Sequence, residues 1–162
     1  MNAGALAVGA DAPDFSLAGT DGTVGGHRHY RLSDYRGDPV VLVFYPGDDS
    51  PICTRQLVAY TRDFPALSEQ GAIMLALSPQ DVASHDRFAA AHGGFAFPLL
   101  ADVDKAVGAA YGILGPLGFY RRSIFVLDRS GVIRYRHRSL TGLGFQSSET
   151  LVEALREALD PQ

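Results

Sequence analysis

Buried strands and an amphipathic helix alternate in the first half of the chain. Residues 40–45 and 72–77 are short apolar runs rich in β-branched and aromatic side chains, which is typical of buried strands. Between them, residues 54–68 carry apolar side chains at the three- and four-residue spacing of a helix. These helical positions are Leu57, Tyr60, Phe64 and Leu67. The pattern predicts a βαβ unit with parallel strands.

Turn and cap signals extend this unit on both sides. Residues 15–17 and a segment near Val24 are expected to pair as an N-terminal β-hairpin across a glycine-containing turn. Residues 78–81 combine a cap residue, Ser78, with a proline in the first helical position and an acid in the first turn. They predict a helix that ends at the glycines of residues 92–94.

The C-terminal part is predicted to hold a short helix, a hairpin and a final helix. The short helix covers residues 105–110, and strands at 124–127 and 132–135 flank a turn and form an antiparallel hairpin. Thr150 and Glu153 have the spacing of a capping box for the last helix. The whole pattern predicts an α/β protein with a thioredoxin-like fold. We expect a central mixed β-sheet flanked by helices and an N-terminal β-hairpin.

Composition and charge narrow the function classes. A length of 162 residues with 46% hydrophobic residues is that of one globular domain, expected over residues 1–162. No apolar run approaches the roughly 20 residues of a membrane span, and residues 1–8 lack a basic leader, so we expect a cytoplasmic protein. The net charge of −4 argues against nucleic acid as a partner. A basic cluster, Arg134, Arg136, His137 and Arg138, is interpreted as the solvated face of a strand.

The single cysteine, Cys53, lies where the loop after the first buried strand meets the predicted helix. Unpaired N–H groups and the helix dipole make the first helical turn partly positive, which stabilises a thiolate there. Cys53 is therefore a candidate nucleophile. The alternative from position alone is a buried structural cysteine, which is the commoner role of a lone cysteine.

The residues around Cys53 resemble a known active site. Pro46, Ser50 and Cys53 form the pattern Pro-x-x-x-Ser-x-x-Cys. It resembles the active-site loop of the peroxiredoxins, the alkyl hydroperoxide reductase and thiol-specific antioxidant family. Gln56 stands where that family usually has Glu, Gln or His. Further segments resemble the family in the same order: residues 8–17, 32–37, 97–102, 110–113 and 122–131.

The resemblance implies a thiol-dependent peroxidase that acts on hydrogen peroxide and organic hydroperoxides. Cys53 would attack the peroxide as a thiolate and become a sulfenic acid. Arg122 matches the family's catalytic arginine and would stabilise both the thiolate and the charge that moves along the O–O bond. Arg121 is the neighbouring candidate, and a surface position is expected for it.

Three further residues take roles by the same resemblance. Ser50 would use its hydroxyl to hold the peroxide and the sulfur. Pro46 would shield the pocket from water, although it could simply mark the end of the strand. Gln56 would orient the loop through its amide, and the alternative is an exposed helix residue.

The chain departs from many relatives because it holds no second cysteine. One subgroup has a resolving cysteine five residues after the first, and here that position is Val58. The resemblance thus indicates a one-cysteine peroxiredoxin, similar to the members like bacterioferritin comigratory protein. It would be regenerated by an external thiol reductant, either a thioredoxin-like protein or a low-molecular-weight thiol. Relatives of this kind are often dimers, so a homodimer is expected.

Two other functional hypotheses remain open at this point. One is a peroxide-sensing redox protein of the same fold without efficient turnover. The other, a thiol–disulfide oxidoreductase, is disfavoured because the second cysteine of Cys-x-x-Cys is missing. No cofactor or metal is expected, since the five histidines lack metal-ligand spacing. Asp48 and Asp49 are expected to face solvent, because a buried carboxylate would oppose a nearby thiolate.

Overall fold

A computed structural model describes residues 6–23, 26–139 and 144–160, so Val24 lies outside the described residues. Its centre is one seven-stranded sheet with the strand order β2-β1-β5-β4-β3-β6-β7. The strands are β1 Ser16–Thr20, β2 His27–Arg31, β3 Val40–Phe44, β4 Ile73–Ser78, β5 Leu99–Ala101, β6 Ser123–Leu127 and β7 Ile133–Arg138.

Helices cover both faces of this sheet. They are α1 Pro51–Arg62, α2 Phe64–Ser68, α3 Val82–Ala91, α4 Ala106–Ala110 and α5 Ser148–Leu159, with short 3-10 turns at Leu32–Tyr35 and Pro116–Gly118. Within the described ranges, none of the helices is long and apolar enough to cross a membrane.

The sheet is mixed, as predicted. The three central strands β3, β4 and β5 are parallel, whereas β6 runs antiparallel to β3 on one side and β1 runs antiparallel to β5 on the other. Parallel neighbours require a crossover, and the chain between β3 and β4 supplies one through α1 and α2. The predicted α/β class and the predicted central sheet are confirmed.

The N-terminal hairpin exists, but its second strand is β2 rather than the segment near Val24. β1 and β2 pair from Ser16 opposite Arg31 to Thr20 opposite His27. The connection is wider than expected because Asp21 builds its own turn, in which its carboxylate accepts the Thr23 N–H and its N–H donates to the Gly26 carbonyl.

The predicted helix over residues 54–68 is two helices. α1 begins earlier, at Pro51, and ends at Arg62, where Asp63 interrupts it before α2. Pro65 has no N–H to continue the i to i−4 ladder, so the break falls just before it.

Two predicted helix caps were wrong. Ser78 is the last residue of β4, and α3 is capped by Asp81, whose side chain accepts the Ser84 N–H. α5 is capped by Ser147, whose side chain accepts the Thr150 N–H, so Thr150 lies inside the helix. In both helices the capping residue has extended backbone angles. Its side-chain oxygen accepts a hydrogen bond from the backbone N–H of the residue three positions later.

Alternate side chains of the sheet enter two cores, one on each face. Val41 and Val43 of β3 enter the core beneath α1 and α5, together with Cys53. Leu42 and Phe44 enter the opposite core, together with Tyr111. Successive residues of a strand point to opposite faces of the sheet, so a strand that is buried on both faces contributes to both cores. Cys53, on α1, lies in the first of these cores, between the helix and the sheet.

Candidate active site

Cys53 is the third residue of α1 and its side chain is fully buried. Ser50 caps the helix, and its hydroxyl accepts the Cys53 N–H at 3.4 Å. Pro51 occupies the first helical position, where its missing N–H leaves no donor unsatisfied. The loop between β3 and α1 therefore holds the sulfur at the positive end of a helix, as the sequence predicted.

Arg122 lies directly before the neighbouring strand β6 and reaches Cys53 from there. Ser123 of β6 pairs with Phe44 of β3, so Arg122 lies at the sheet edge from which the Cys53 loop leaves. Its Nη2 donates to the Cys53 Sγ at 3.3 Å, and its Nη1 donates to the Gln56 Oε1. The residue is only 4% exposed. A buried guanidinium thus contacts the sulfur directly, and it favours the thiolate.

Arg121 takes no part in this arrangement. It is half-buried, and its side chain lies against Gly115, where an added Cβ would come within 2.9 Å of the Arg121 Nε. Successive residues of an extended segment point to opposite sides, which separates the two arginines.

Gln56 is buried rather than exposed, and it orients Arg122. It lies one helical turn after Cys53, so both side chains face the sheet. Its Oε1 accepts from Arg122, and its Nε2 donates to the Tyr60 hydroxyl at 3.4 Å. Sequence reasoning expected this amide to orient the loop, whereas the bonds observed hold the guanidinium.

Tyr60 is a supporting residue, whereas the sequence identified it only as one of the apolar positions of the predicted helix. Its hydroxyl donates to the Gln146 carbonyl and accepts from Gln56. Burial raises the pKa of Tyr60 to about 12, so the phenol keeps its proton at neutral pH. The Tyr60 hydroxyl proton is used for the Gln146 carbonyl, so the hydroxyl oxygen can only accept from Gln56. The Gln56 amide therefore directs its NH₂ group to Tyr60 and its oxygen to Arg122. The i to i+4 spacing from Gln56 to Tyr60 was the signal in the sequence.

Pro46 and Ser50 lie near the two ends of the loop between β3 and α1. The Tyr45 N–H still donates to the Leu77 carbonyl at 3.0 Å, but Pro46 has no N–H, and the sheet pairing of this segment ends there. Pro46 is half-buried. Ser50 serves as the helix cap, and its predicted contact with peroxide stays a prediction.

The two neighbouring aspartates differ in environment. Asp49 is exposed, as expected, but the expectation for Asp48 was wrong, because its side chain is only 2% exposed. Asp48 accepts from the Tyr45 hydroxyl at 2.8 Å and the Ser84 hydroxyl at 2.7 Å, and it pairs with His85 at 2.8 Å. These partners replace the water that a carboxylate needs.

Comparison with known proteins identifies this arrangement. Residues 8–136 match the AhpC/TSA family, which is most of the chain and includes the Cys53 loop and Arg122. The chain belongs to the AhpC/TSA family.

The relatives that match the chain over most of its length are named peroxiredoxins. The chain is 32% identical over 155 residues to the chloroplastic peroxiredoxin Q of Oryza sativa subsp. japonica, a match that covers 94% of this chain and 67% of the relative. It is 33% identical over 153 residues to the selenocysteine-containing peroxiredoxin PrxU of Peptoclostridium acidaminophilum, covering 90% of this chain and 74% of the relative.

Solved structures agree in fold. The bacterioferritin comigratory protein of Xanthomonas campestris is 29% identical, with a TM-score of 0.75 over 87% of this chain and 90% of that one. The AhpC of Mycobacterium tuberculosis has a TM-score of 0.86 over 94% of this chain and 92% of that one, and at 19% identity it shows the fold alone. The thioredoxin-like fold is confirmed. This peroxiredoxin is a thiol-dependent peroxidase similar to bacterioferritin comigratory protein, and the sensor alternative is not favoured.

Proposed function

We propose that Cys53 is the thiolate that reduces peroxide and that Arg122 activates it. The observation that carries this assignment is the 3.3 Å contact between the Arg122 Nη2 and the Cys53 Sγ in a buried site. A helix start and a guanidinium both stabilise negative charge on sulfur, and the low polarity of their surroundings strengthens both effects.

The reaction follows from these contacts. The Cys53 sulfur attacks one peroxide oxygen, so that an S–O bond forms while the O–O bond breaks. The departing oxygen takes a proton and leaves as water or an alcohol, and the sulfur is oxidised to a sulfenic acid. Charge moves from sulfur to the departing oxygen, and a fixed cation beside that path lowers the barrier. The Arg122 Nε–H has no partner within the described part of the chain, which leaves a buried donor for an oxygen of the substrate.

The remaining site residues position the peroxide, the sulfur and the guanidinium. Ser50 keeps a hydroxyl proton beyond its bond with the Cys53 N–H, and we assign that proton to the peroxide. Pro46 restricts the backbone at the start of the loop and excludes water from the sulfur. Gln56, fixed by Tyr60, keeps the Arg122 guanidinium directed at the reacting atoms.

The catalytic cycle closes through an external thiol. Cys53 is the only cysteine of the chain, so its sulfenic acid has no internal partner for a disulfide. An external thiol condenses with it to a mixed disulfide and releases water, and a second thiol then frees Cys53. A thioredoxin-like protein or a low-molecular-weight thiol supplies this reductant. The Xanthomonas relative is described as having alkyl peroxide reduction activity, which supports organic hydroperoxides as substrates beside hydrogen peroxide.

The proposed setting is a cytoplasmic homodimer built from one domain over residues 1–162. A net charge of −4 supports partners other than nucleic acid. Leu117 and Phe119, exposed shortly before Arg122 in the chain, provide apolar surface for association.

Sustained turnover with an added thiol tests this function. We expect the protein to consume hydrogen peroxide and an alkyl hydroperoxide continuously when a small thiol or a thioredoxin system is present. Without a thiol, consumption should stop once each Cys53 has been oxidised. The measurement is peroxide loss over time with several reductants. Peroxide loss that ends after the first oxidation with every reductant would favour a sensor over a peroxidase.

A further inference from the structure

A buried ion pair connects helix α3 with the loop between β3 and α1, the loop that leads to Cys53. Asp48 lies in the loop and His85 lies on α3, and the His85 side chain is fully buried. The His85 Nδ1 lies 2.8 Å from the Asp48 Oδ2, and its Nε2 lies 3.0 Å from the Leu100 carbonyl oxygen of β5. Neither residue contacts Cys53 in the hydrogen-bond network described above.

The partners of His85 determine where its protons lie. A carbonyl oxygen only accepts, so the Nε2 must carry a proton and donate it to Leu100. A carboxylate oxygen also only accepts, so the Nδ1 must donate to Asp48. With Asp48 as a carboxylate, both ring nitrogens of His85 face acceptors, and this geometry is that of an ion pair. Burial, reinforced by the charge of Asp48, raises the pKa of Tyr45, which keeps its phenol as a further donor to the carboxylate.

A second bond holds the same loop residue by its backbone. The Asp48 N–H donates to the Gln80 Oε1 at 2.9 Å, and the Ser78 hydroxyl donates to the same oxygen at 3.1 Å. The next residue, Asp49, has a φ of 64°, a left-handed conformation that a side chain disfavours. Such a conformation persists only where its surroundings fix it. Ser50, which caps the helix of Cys53, follows directly.

We propose that His85 is a positioning residue for peroxide reduction, acting through Asp48. The ion pair fixes the loop, the loop places Ser50, and Ser50 sets the first turn of α1, which places the Cys53 sulfur against Arg122. The inference rests on Cys53 as the peroxide-reducing thiol. A displacement of about 1 Å at a reacting atom can cost roughly a hundredfold in rate.

Two variants of His85 separate positioning from simple packing. The amide nitrogen of His85→Asn reaches the place of the Nδ1 and keeps a donor for Asp48, but it loses the Leu100 contact. The amide nitrogen of His85→Gln reaches the place of the Nε2 and keeps the Leu100 contact, but it loses Asp48. Both variants remove the charge and the ring from the same site.

The expected outcome is a large difference between these variants in the rate constant for the reaction of Cys53 with peroxide. His85→Gln should lose about ten- to a hundredfold. His85→Asn should lose only about threefold, since a neutral hydrogen bond of roughly half the strength replaces a charge-assisted one. Equal losses, or a larger loss in His85→Asn, would overturn the proposal.

Matched controls exclude a general effect of α3. Phe88→Leu weakens core packing of the same helix, and His27→Ala removes the pair between the His27 Nε2 and Asp86, which ties α3 to β2 instead of the loop. Both should keep the peroxide rate within about threefold of the wild type, since neither side chain forms a hydrogen bond with Asp48 or with Leu100. A rate that falls with thermal stability across all four variants would show a structural role only.

Nitrogen NMR of the histidine rings tests the ion pair without peroxide, so it is independent of the proposed function. In the wild type, both ring nitrogens of His85 should carry protons, with the signal assigned by its loss in His85→Gln. In Asp48→Asn, the new amide can donate to the Nδ1, which should become unprotonated. An unprotonated Nδ1 in the wild type would overturn the ion pair. A wild type that fails to consume peroxide, with both nitrogens protonated, would count against the proposed function instead.

Discussion

Replacing Cys53 with serine should abolish peroxide reduction, with a loss of at least about a thousandfold. The sulfur is the nucleophile and the atom that is oxidised, and a serine hydroxyl is neither ionised at neutral pH nor oxidised by peroxide. The measurement is peroxide loss with a thiol present, at equal protein concentration.

The fold should survive this substitution. Serine and cysteine are close in size, and the serine hydroxyl can still accept from the Arg122 Nη2. Circular dichroism and the thermal unfolding midpoint serve as controls. A correctly folded Cys53→Ser protein with near-normal activity would refute the assignment of the nucleophile.

Removing Arg122 should have the second largest effect. Arg122→Ala is expected to lose about a hundred- to a thousandfold in the rate constant with peroxide, because the only guanidinium that contacts the sulfur in the described structure disappears. Arg122→Lys should recover part of the loss. An ammonium restores the charge, but it cannot donate at once to Gln56 and Cys53 with the planar geometry of the guanidinium.

Arg121→Ala is the matched control for this prediction. Arg121 precedes Arg122 directly, yet its side chain lies against Gly115, away from the sulfur. Its loss should change the rate by less than about threefold, as expected for a residue outside the reacting network. The reverse order of sensitivity, with Arg121 the essential arginine, would contradict the geometry of the site.

The features that the sequence predicted best depend on local periodicity. The apolar run that became β3 and the helical spacing of Leu57 and Tyr60 place a loop between a strand and a helix, and Cys53 lies where that loop enters the helix. The pairing of β3 with β6 could not follow from periodicity. The resemblance in the segment that begins at Arg122 supplied that residue, and the structure shows how the register of β6 brings it to the sulfur.

The errors arose where a local signal competed with tertiary contacts. Ser78 has the composition of a helix cap, but its backbone pairs in β4, so Asp81 serves instead. Asp48 looked like a solvated carboxylate because two of its partners, Ser84 and His85, lie far away in the chain, on α3. The burial of Gln56 had a signal in its helical spacing from Cys53, whereas the pair between Asp48 and His85 had none that a single sequence reveals.

Intact-mass spectrometry of the oxidised protein tests the central claim most directly. With peroxide alone, Cys53 should progress beyond the sulfenic acid and gain two or three oxygens at a single site. With peroxide and a small thiol together, the protein should instead carry one adduct of that thiol, which a second thiol molecule removes. Cys53→Ser should keep its mass in both conditions. A wild-type mass that stays unchanged in excess peroxide, or sustained turnover without any added reductant, would contradict the mechanism.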